Sequence, residues 1–274
     1  MSKQVAYEAV YNQIIATMEK GDIPWKKSWT GAMPHNGVSG HKYAGVNFFL
    51  LSYSGFADPR WFTFNQVKQL GGNVKQGSKG HQIVFWKIFD TEDASGAKKS
   101  IPLLRYSTVF NFEQCENMKK IATIEDVVLV DAQSIVDGYV AGPKISYGFD
   151  AAFYSPGKDE VGMPSKTQFT NIEKFYSVLF HELGHSTGSE KRLNRKSLTD
   201  GGGFFGKSTL YSEEELVAEL FSAFACNLAG IDNTIDNSAA YLKGWMKAFK
   251  DNPAMITNAA SKAQKALNYV LGVV

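Results

Sequence analysis

The sequence predicts an α+β protein of two domains, divided near residue 125. The charge is uneven along the chain, because residues 1–122 hold 15 Lys and Arg against 9 Asp and Glu (net +6), whereas residues 123–274 hold 14 against 18 (net −4). The apolar pattern also changes, since short strand-like runs fill the first part and helical periodicity dominates after Phe169. With 274 residues, the chain is long enough for two ordinary domains.

The first domain is expected to combine helices with a small sheet. Apolar residues at helical spacing predict a helix over residues 3–20, and Gly21 ends it. A second, short helix is expected over residues 61–70, ended by Gly71 and Gly72. The strands, which are rich in β-branched and aromatic residues, are expected over residues 83–89 and 103–110.

The second domain is expected to start with strands and to continue as helices. The run VVLV at 127–130 is one candidate strand, and AAFY at 151–154 is another, ended by Pro156. Helical periodicity then predicts helices over about 170–187, 212–229, 238–250 and 253–271.

Composition argues against several classes of protein. No run of about 18 apolar residues occurs, so a membrane-spanning helix is not expected. The first residues lack the apolar stretch of a signal peptide, which leads us to expect a cytoplasmic location. Cys115 and Cys226 are far apart and neither has the spacing of a metal-ligand pair, so both are expected to be ordinary thiols.

Residues 181–185 read HELGH, an instance of the H-E-x-x-H motif. Residues four apart share one face of a helix, so His181 and His185 can reach the same ion. Zinc accepts imidazole nitrogen at roughly 2.0–2.1 Å and keeps a position for water in catalytic sites. Glu182 can lean over that position and accept a proton from the metal-bound water. The motif therefore predicts a zinc site with Glu182 as general base, although manganese or another divalent metal is compatible with it.

A third metal ligand is expected on the following helix, because no third histidine follows His185 in the longer zinc-peptidase spacing. The string SEEELVAEL places Glu215 and Glu219 four apart on one face. In sites with two histidines and one glutamate, the first acid of such a pair ligates the metal and the second accepts the N–H of a ligand histidine. We predict these roles for Glu215 and Glu219 respectively, and the reverse order stays open. Glu213 and Glu214 are expected at a solvated helix start.

Aromatic and basic residues alternate in the first domain. Rings that stack on bases, with cations that follow the phosphates, are the combination that single-stranded nucleic acid requires. The candidate residues are Trp25, Lys26, Lys27, Trp29, His41, Lys42, Tyr43, Lys75 and Lys79. The plainer alternative is that the rings belong to the core and the lysines only solvate the surface.

Longer strings resemble the ArdC-type antirestriction proteins of plasmids and phages. The similarity lies in PWKKSW, HNGVSGHKYAGVN and RWFTFNQVKQLGGNVKQGSKGHQIVFW in the first domain, and in AAFYSPGKDEVGMP, HELGHSTGSEKRLNR and YSEEELVAEL in the second. The resemblance implies a single-stranded-DNA-binding domain at residues 1–125 and a zincin-like (gluzincin-type) metallopeptidase domain at residues 126–274. It also implies protection of incoming DNA from host restriction, and an edge strand, AAFYSP, that pairs with a peptide substrate.

Two other functions stay open. The first is a metal-stabilised single-stranded-DNA-binding protein with no proteolytic activity, although a purely structural site would have no use for Glu182 as a base. The second is a secreted-type peptidase with no nucleic-acid role, which the basic, Trp-rich first domain argues against. The expected partners are single-stranded DNA and host restriction-system proteins, and no membrane is expected.

Overall fold

The computed structural model describes residues 3–21, 23, 33–52, 54–92, 98–118, 130–199, 209–231 and 239–273. The chain divides into two compact units, an N-terminal unit of Met1–Thr17 with Ala32–Val127 and a C-terminal unit of Met18–Gly31 with Val128–Val274. The expected α+β architecture of two domains is confirmed. The candidate strand at 127–130 lies outside the described residues except for Val130. In the part of the chain that the structure describes, no helix is long and apolar enough to cross a membrane.

The main sheet of the N-terminal unit has the strand order β1-β2-β5-β4 within the described residues. Its strands are β1 (His35–Asn36), β2 (Arg60–Thr63), β4 (His81–Glu92) and β5 (Lys98–Asn111). The β1–β2 pair is parallel, and the other two pairs are antiparallel. A smaller antiparallel pair joins β3 (Asn73–Val74) to β6 (Cys115–Glu116). The helices described before β4 are α1 (Lys3–Met18), α2 (Val46–Ser52) and α3 (Phe64–Gln69).

A buried cluster of the N-terminal unit forms on one face of this sheet. The cluster unites rings and aliphatic side chains from α2, the strands and the loop before α2, namely Tyr43, Leu51, Trp61, Ile83 and Val109. The ring of Trp61 also meets the ring of His81 edge-on, with 5.2 Å between the centroids. At the end of β2, Thr63 caps α3 together with Gln66, so the sheet passes directly into the helix.

The long segment of the C-terminal unit contains α4 (Ala132–Asp137) and a sheet whose order, in the residues described, is β7-β9-β8. The strands are β7 (Lys144–Tyr147), β8 (Phe153–Ser155) and β9 (Glu160–Met163). Among the described residues β8 pairs with β9 alone, in antiparallel register, so the segment AAFYSP contributes an edge strand. The helices that follow are α5 (Ile172–Ser186), α6 (Lys196–Thr199), α7 (Thr209–Ala229), α8 (Ala239–Asp251) and α9 (Met255–Val270).

Helices α5 and α7 pack directly against each other. Both helices bury apolar side chains, which are Leu179, Phe180 and Leu183 on α5 and Leu216, Val217, Leu220 and Phe221 on α7. Each such side chain contributes about 1.5–3 kcal/mol through its removal from water. Asn171 caps the first turn of α5, because its side-chain oxygen accepts a hydrogen bond from the backbone N–H of Lys174 at 2.7 Å. The packing sets the register between the HELGH face of α5 and the SEEEL face of α7.

Candidate metal centre

The facing helices bring His181, His185 and Glu215 together. The Nε2 atoms of the two imidazoles are 3.1 Å apart. One oxygen of Glu215 lies 3.6 Å from Nε2 of His181, and the other lies 3.3 Å from Nε2 of His185. Each residue therefore offers one ligand atom, and all three atoms lie within 4.8 Å of one another.

These separations fit a small divalent ion. Four ligands at roughly 2.0–2.1 Å from a tetrahedral ion lie about 3.3–3.4 Å from one another. The observed distances of 3.1, 3.3 and 3.6 Å fall on both sides of that value. Two imidazoles and one carboxylate are also a ligand set that zinc adopts in catalytic sites. The three side chains can thus hold a metal without a large rearrangement.

The charges around the two histidines favour a cation. Burial alone lowers the pKa of the His185 imidazole, but the carboxylates of Glu214 and Glu215 outweigh that effect and raise its pKa to about 10. Burial raises the pKa of the Glu215 carboxyl, yet the two imidazoles hold that pKa well below its usual range. The carboxylates around the two imidazoles therefore stabilise positive charge at the point where the three side chains meet.

Two further acids border this cluster. Glu182 is 7% exposed, and its Oε2 atom has no hydrogen-bond partner among the described residues. A buried carboxylate oxygen without a hydrogen-bond partner raises the free energy of the folded protein unless it binds a ligand or a proton. Such an oxygen suits a general base that faces a substrate site. Glu219 is 3% exposed. Burial lowers the pKa of the His181 imidazole, but the hydrogen bond to Glu215 and the negative charge of Glu219 both raise it, and the pKa is raised overall.

The expectation that Glu214 lies at a solvated helix start is wrong. The residue is 2% exposed, and its carboxylate accepts hydrogen bonds from Arg195 and from the hydroxyl of Ser197, the latter at 2.6 Å. Burial raises the pKa of the Glu214 carboxyl, but Arg195 and His185 outweigh it and bring the pKa down to about 2. Sequence reasoning missed this partnership, because nothing in the local pattern links Glu214 to an arginine on another segment. Glu213, by contrast, is partly exposed and pairs with Lys262 of α9.

A second arginine braces the end of α5 against the edge-strand hairpin. Arg192 donates to both carboxylate oxygens of Asp159, at 2.8 and 3.0 Å, and to the carbonyl of Ser186 at 3.1 Å. Asp159 lies in the turn between β8 and β9 and also accepts a hydrogen bond from the hydroxyl of Tyr154 at 3.0 Å. The edge strand is therefore held in a fixed position relative to the helix that carries HELGH.

The structure places the predicted DNA-binding residues unevenly. Trp25, Lys26, Lys27 and Trp29 lie outside the described residues. The side chains of His41, Lys42, Lys75 and Lys79 are exposed. Tyr43 requires a correction, because its ring is 6% exposed and packs in the core cluster, where it is not available to stack on a base.

Two exposed rings of the N-terminal unit were not predicted. Phe64, at the start of α3, is 50% exposed, and Phe85, on β4, is 43% exposed. The ammonium group of Lys68 lies 5.6 Å from the ring centroid of Phe64, and Phe110 meets that ring at 6.5 Å. Their signal in the sequence was weak, because a phenylalanine in an apolar run is usually a core residue.

Two sequence families match the chain. Residues 4–110 match the N-terminal domain of anti-restriction factor ArdC, and residues 132–262 match a zincin-like metallopeptidase family. Two Escherichia coli proteins named DNA primase TraC are 34% and 32% identical over 98% of this chain, which spans only 27% and 20% of their lengths. The uncharacterized protein y4eC of Sinorhizobium fredii (strain NBRC 101917 / NGR234) is 33% identical over 96% of this chain and 91% of its own length.

Two solved structures share the fold over nearly the whole chain. The metal-free crystal structure of antirestriction protein ArdC from plasmid R388 is 33% identical, covers 96% of both chains and superposes with a TM-score of 0.79. The Mn(II)-bound structure of the same protein is 31% identical, covers 97% of both chains and has a TM-score of 0.80. With these relatives and the fold described above, the chain belongs to the ArdC family of antirestriction proteins, with an ArdC N-terminal domain followed by a zincin-like metallopeptidase domain.

Proposed function

We propose that this chain is an antirestriction protein that binds single-stranded DNA through residues 1–125 and carries a metallopeptidase-type site in residues 126–274. The observation that carries the second half of the proposal is the convergence of His181, His185 and Glu215 at distances of 3.1–3.6 Å. Membership of the ArdC family supports the first half and the protection of incoming DNA from host restriction.

His181, His185 and Glu215 are the proposed ligands of a divalent metal. Two imidazole ligands favour zinc. Mn(II), the ion in one structure of the R388 protein, prefers oxygen ligands. We propose zinc as the resident metal, with manganese as the competing ion. Glu219, which lies one turn further along α7 than Glu215, is proposed to support a ligand histidine.

Glu182 is the proposed general base. A divalent ion held here would polarise a carbonyl and make a water molecule more acidic. The Oε2 atom of Glu182, which is buried and has no hydrogen-bond partner in the described part of the chain, would accept the proton and pass it to the leaving group. The edge strand β8 supports a peptide substrate, since its outer backbone groups can pair with an extended chain.

Charge and exposed rings support the DNA-binding half of the proposal. Residues 1–122 carry a net charge of +6. Lys75 and Lys79 lie in the turn before β4, and Phe64 is half exposed beside Lys68. This combination of an exposed ring and nearby cations is what sequence-independent binding of a single strand requires. Since Tyr43 is buried, we assign stacking to Phe64 and to Trp25 and Trp29.

The main rival function is a metal-stabilised single-stranded-DNA-binding protein without proteolytic activity. Our proposal is favoured over it by Glu182, whose buried Oε2 atom has no hydrogen-bond partner among the described residues. A primase activity is not proposed, because the chain spans only 27% and 20% of the two relatives that bear that name.

The decisive experiment incubates the metal-loaded protein with purified restriction-system subunits, with and without single-stranded DNA, and follows cleavage by electrophoresis and mass spectrometry. We expect discrete fragments from the parent protein and none from Glu182→Gln. Protection of DNA from restriction without any cleavage would favour the rival function.

A further inference from the structure

The two ring nitrogens of His185 face different carboxylates. Nε2 lies 3.3 Å from an oxygen of Glu215, within the proposed ligand cluster. Nδ1 lies 3.5 Å from Oε1 of Glu214, which precedes Glu215 on α7. Two adjacent residues of α7 therefore lie near the two nitrogens of one imidazole. Of these two, Glu215 belongs to the ligand cluster and Glu214 does not.

Glu214 is held in place by groups outside α7. Arg195 donates through Nε to Oε2 of Glu214 at 3.0 Å and through a terminal nitrogen to Oε1, and the Ser197 hydroxyl donates to Oε2 at 2.6 Å. The ion pair is buried, with side-chain exposures of 5% for Arg195 and 3% for Glu214. The carboxylate of Glu214 is thus fixed in both position and charge.

Arg195 also fastens the end of α5, the helix that carries His185. Its guanidinium donates to the carbonyl of Gly184 at 2.8 Å and to the hydroxyl of Thr187 at 2.6 Å. It lies against the backbone of Gly188, where a Cβ atom would come within 2.7 Å of it. One guanidinium therefore fixes the C-terminal end of α5 and the carboxylate beside His185 at the same time.

A role in stability alone does not explain this arrangement well. A buried ion pair contributes little net stability, because the cost of removing two charges from water offsets most of their attraction. A fixed carboxylate beside Nδ1 has a specific effect, however. It stabilises the tautomer with the proton on Nδ1 and leaves the lone pair of Nε2 free to bind a metal.

We propose that Glu214, held by Arg195 and Ser197, is a positioning residue that accepts the Nδ1–H of His185 and thereby strengthens the binding of a divalent metal at His181, His185 and Glu215. The inference rests on the proposed metal site and adds to it. It assigns the support of His185 to Glu214, and the supporting role proposed for Glu219 then applies to His181.

The test is a zinc titration of the full chain in competition with a chromophoric chelator. Glu214→Gln keeps the size of the side chain but removes the charge, and its amide nitrogen conflicts with the donors of Arg195. We expect zinc affinity to fall about 10–100-fold. Glu213→Gln is the matched control, because it removes the neighbouring charge of α7, which pairs with Lys262 and is not in the cluster. Its affinity should equal that of the parent.

A purely structural role gives a different result. In that case Glu214→Gln lowers the melting temperature of the metal-free protein while the zinc affinity stays equal to that of Glu213→Gln, and the proposal is overturned. Ser197→Ala decides the question if Glu214→Gln does not fold, since it removes one donor to Glu214 and no charge. We expect a smaller loss of affinity than for Glu214→Gln, and parental affinity would overturn the proposal. A parent protein that binds no zinc would overturn the proposed metal site as well.

Discussion

Gly184 of α5 touches the backbone of α7 at Ala218. A Cβ atom at position 184 would lie 3.0 Å from the Cα atom of Ala218 and 3.1 Å from the ring of Phe221. On α5, Gly184 directly precedes His185, and on α7, Ala218 lies three residues after Glu215. The close approach of the two backbones is therefore part of what brings the proposed ligands within reach of one ion.

Gly184→Ala should push α5 and α7 apart. Overpacking of a tight core costs about 1–3 kcal/mol, and the better helix propensity of alanine returns at most about 1 kcal/mol. We expect the free energy of unfolding to fall by up to about 2 kcal/mol and zinc to bind more weakly. Gly244→Ala on α8 is the control, because no described residue outside the helix's own backbone comes within 4 Å of a Cβ there. Urea denaturation of both variants checks the prediction, and a stabilised Gly184→Ala would contradict it.

Glu182→Gln should retain the metal and lose any hydrolysis. The amide has the size of the carboxylate but cannot accept a proton from water. Metal content and peptide cleavage should be measured on the same preparation, with Glu213→Gln as the control for the loss of one acidic charge. A cleavage activity that survives Glu182→Gln would show that another group acts as the base.

Asp159→Asn should destabilise the protein in a pH-dependent manner. Burial raises the pKa of Asp159, but hydrogen bonds from Arg192 and Tyr154 outweigh it and lower the pKa below its ordinary value of 3.8. Because the folded-state pKa is the lower one, the stabilisation is present above about pH 4 and is lost as the pH falls through the folded-state pKa. Parent and variant should therefore differ most near neutral pH.

Urea denaturation at several pH values between 7 and 3 measures that difference. The gap between the parent and Asp159→Asn should be constant from pH 7 to about pH 5 and should close below pH 4. Asp150→Asn controls for the loss of an exposed carboxylate. A gap that widens on acidification would mean that the bridge between Asp159 and Arg192 is not the source of the stability.

Single-stranded DNA should bind better than duplex DNA, and the affinity should fall with salt. Each phosphate contact on a single strand contributes a slope of about 0.7 in a plot of log affinity against log salt. Lys79→Ala should lower that slope, whereas Phe64→Ala should weaken binding with little change in slope, because a stacking contact is lost. Lys144→Ala, which removes an exposed cation of the C-terminal unit, should change neither. Fluorescence anisotropy at several salt concentrations provides the measurement, and equal affinity for duplex and single strand would contradict a dedicated surface.

Much of the C-terminal unit could be predicted from local pattern. The helix expected over about 170–187 is α5, Ile172–Ser186, and the three helices expected after it correspond to α7, α8 and α9. The HELGH motif and the acids of SEEEL could be assigned to one metal site from the sequence, because such a site restricts both residue type and spacing. Long helices with a regular apolar period carry enough residues for such a prediction.

The short elements and the long-range partners could not be predicted. Strand β7 has only four residues, all of them exposed or half-buried, and α4 has only six residues. The burial of Glu214 depends on Arg195, which lies 19 positions earlier in the chain and shares no periodicity with it. Tyr43 follows a lysine in a basic string, yet its ring is buried in the core. This could not be predicted, because composition does not reveal which way a side chain points.

The metal content of ligand variants tests the account most directly. The parent protein, His181→Ala, His185→Ala, Glu215→Ala and Glu219→Ala should be loaded with zinc, passed through gel filtration and analysed for bound metal. We predict about one ion per chain for the parent and little for either histidine variant, because each removes one of three protein ligands. Glu215→Ala should lose more metal than Glu219→Ala, since a bond to the metal contributes more than support of a ligand. Unchanged metal content in both histidine variants would contradict the metal site proposed for this protein.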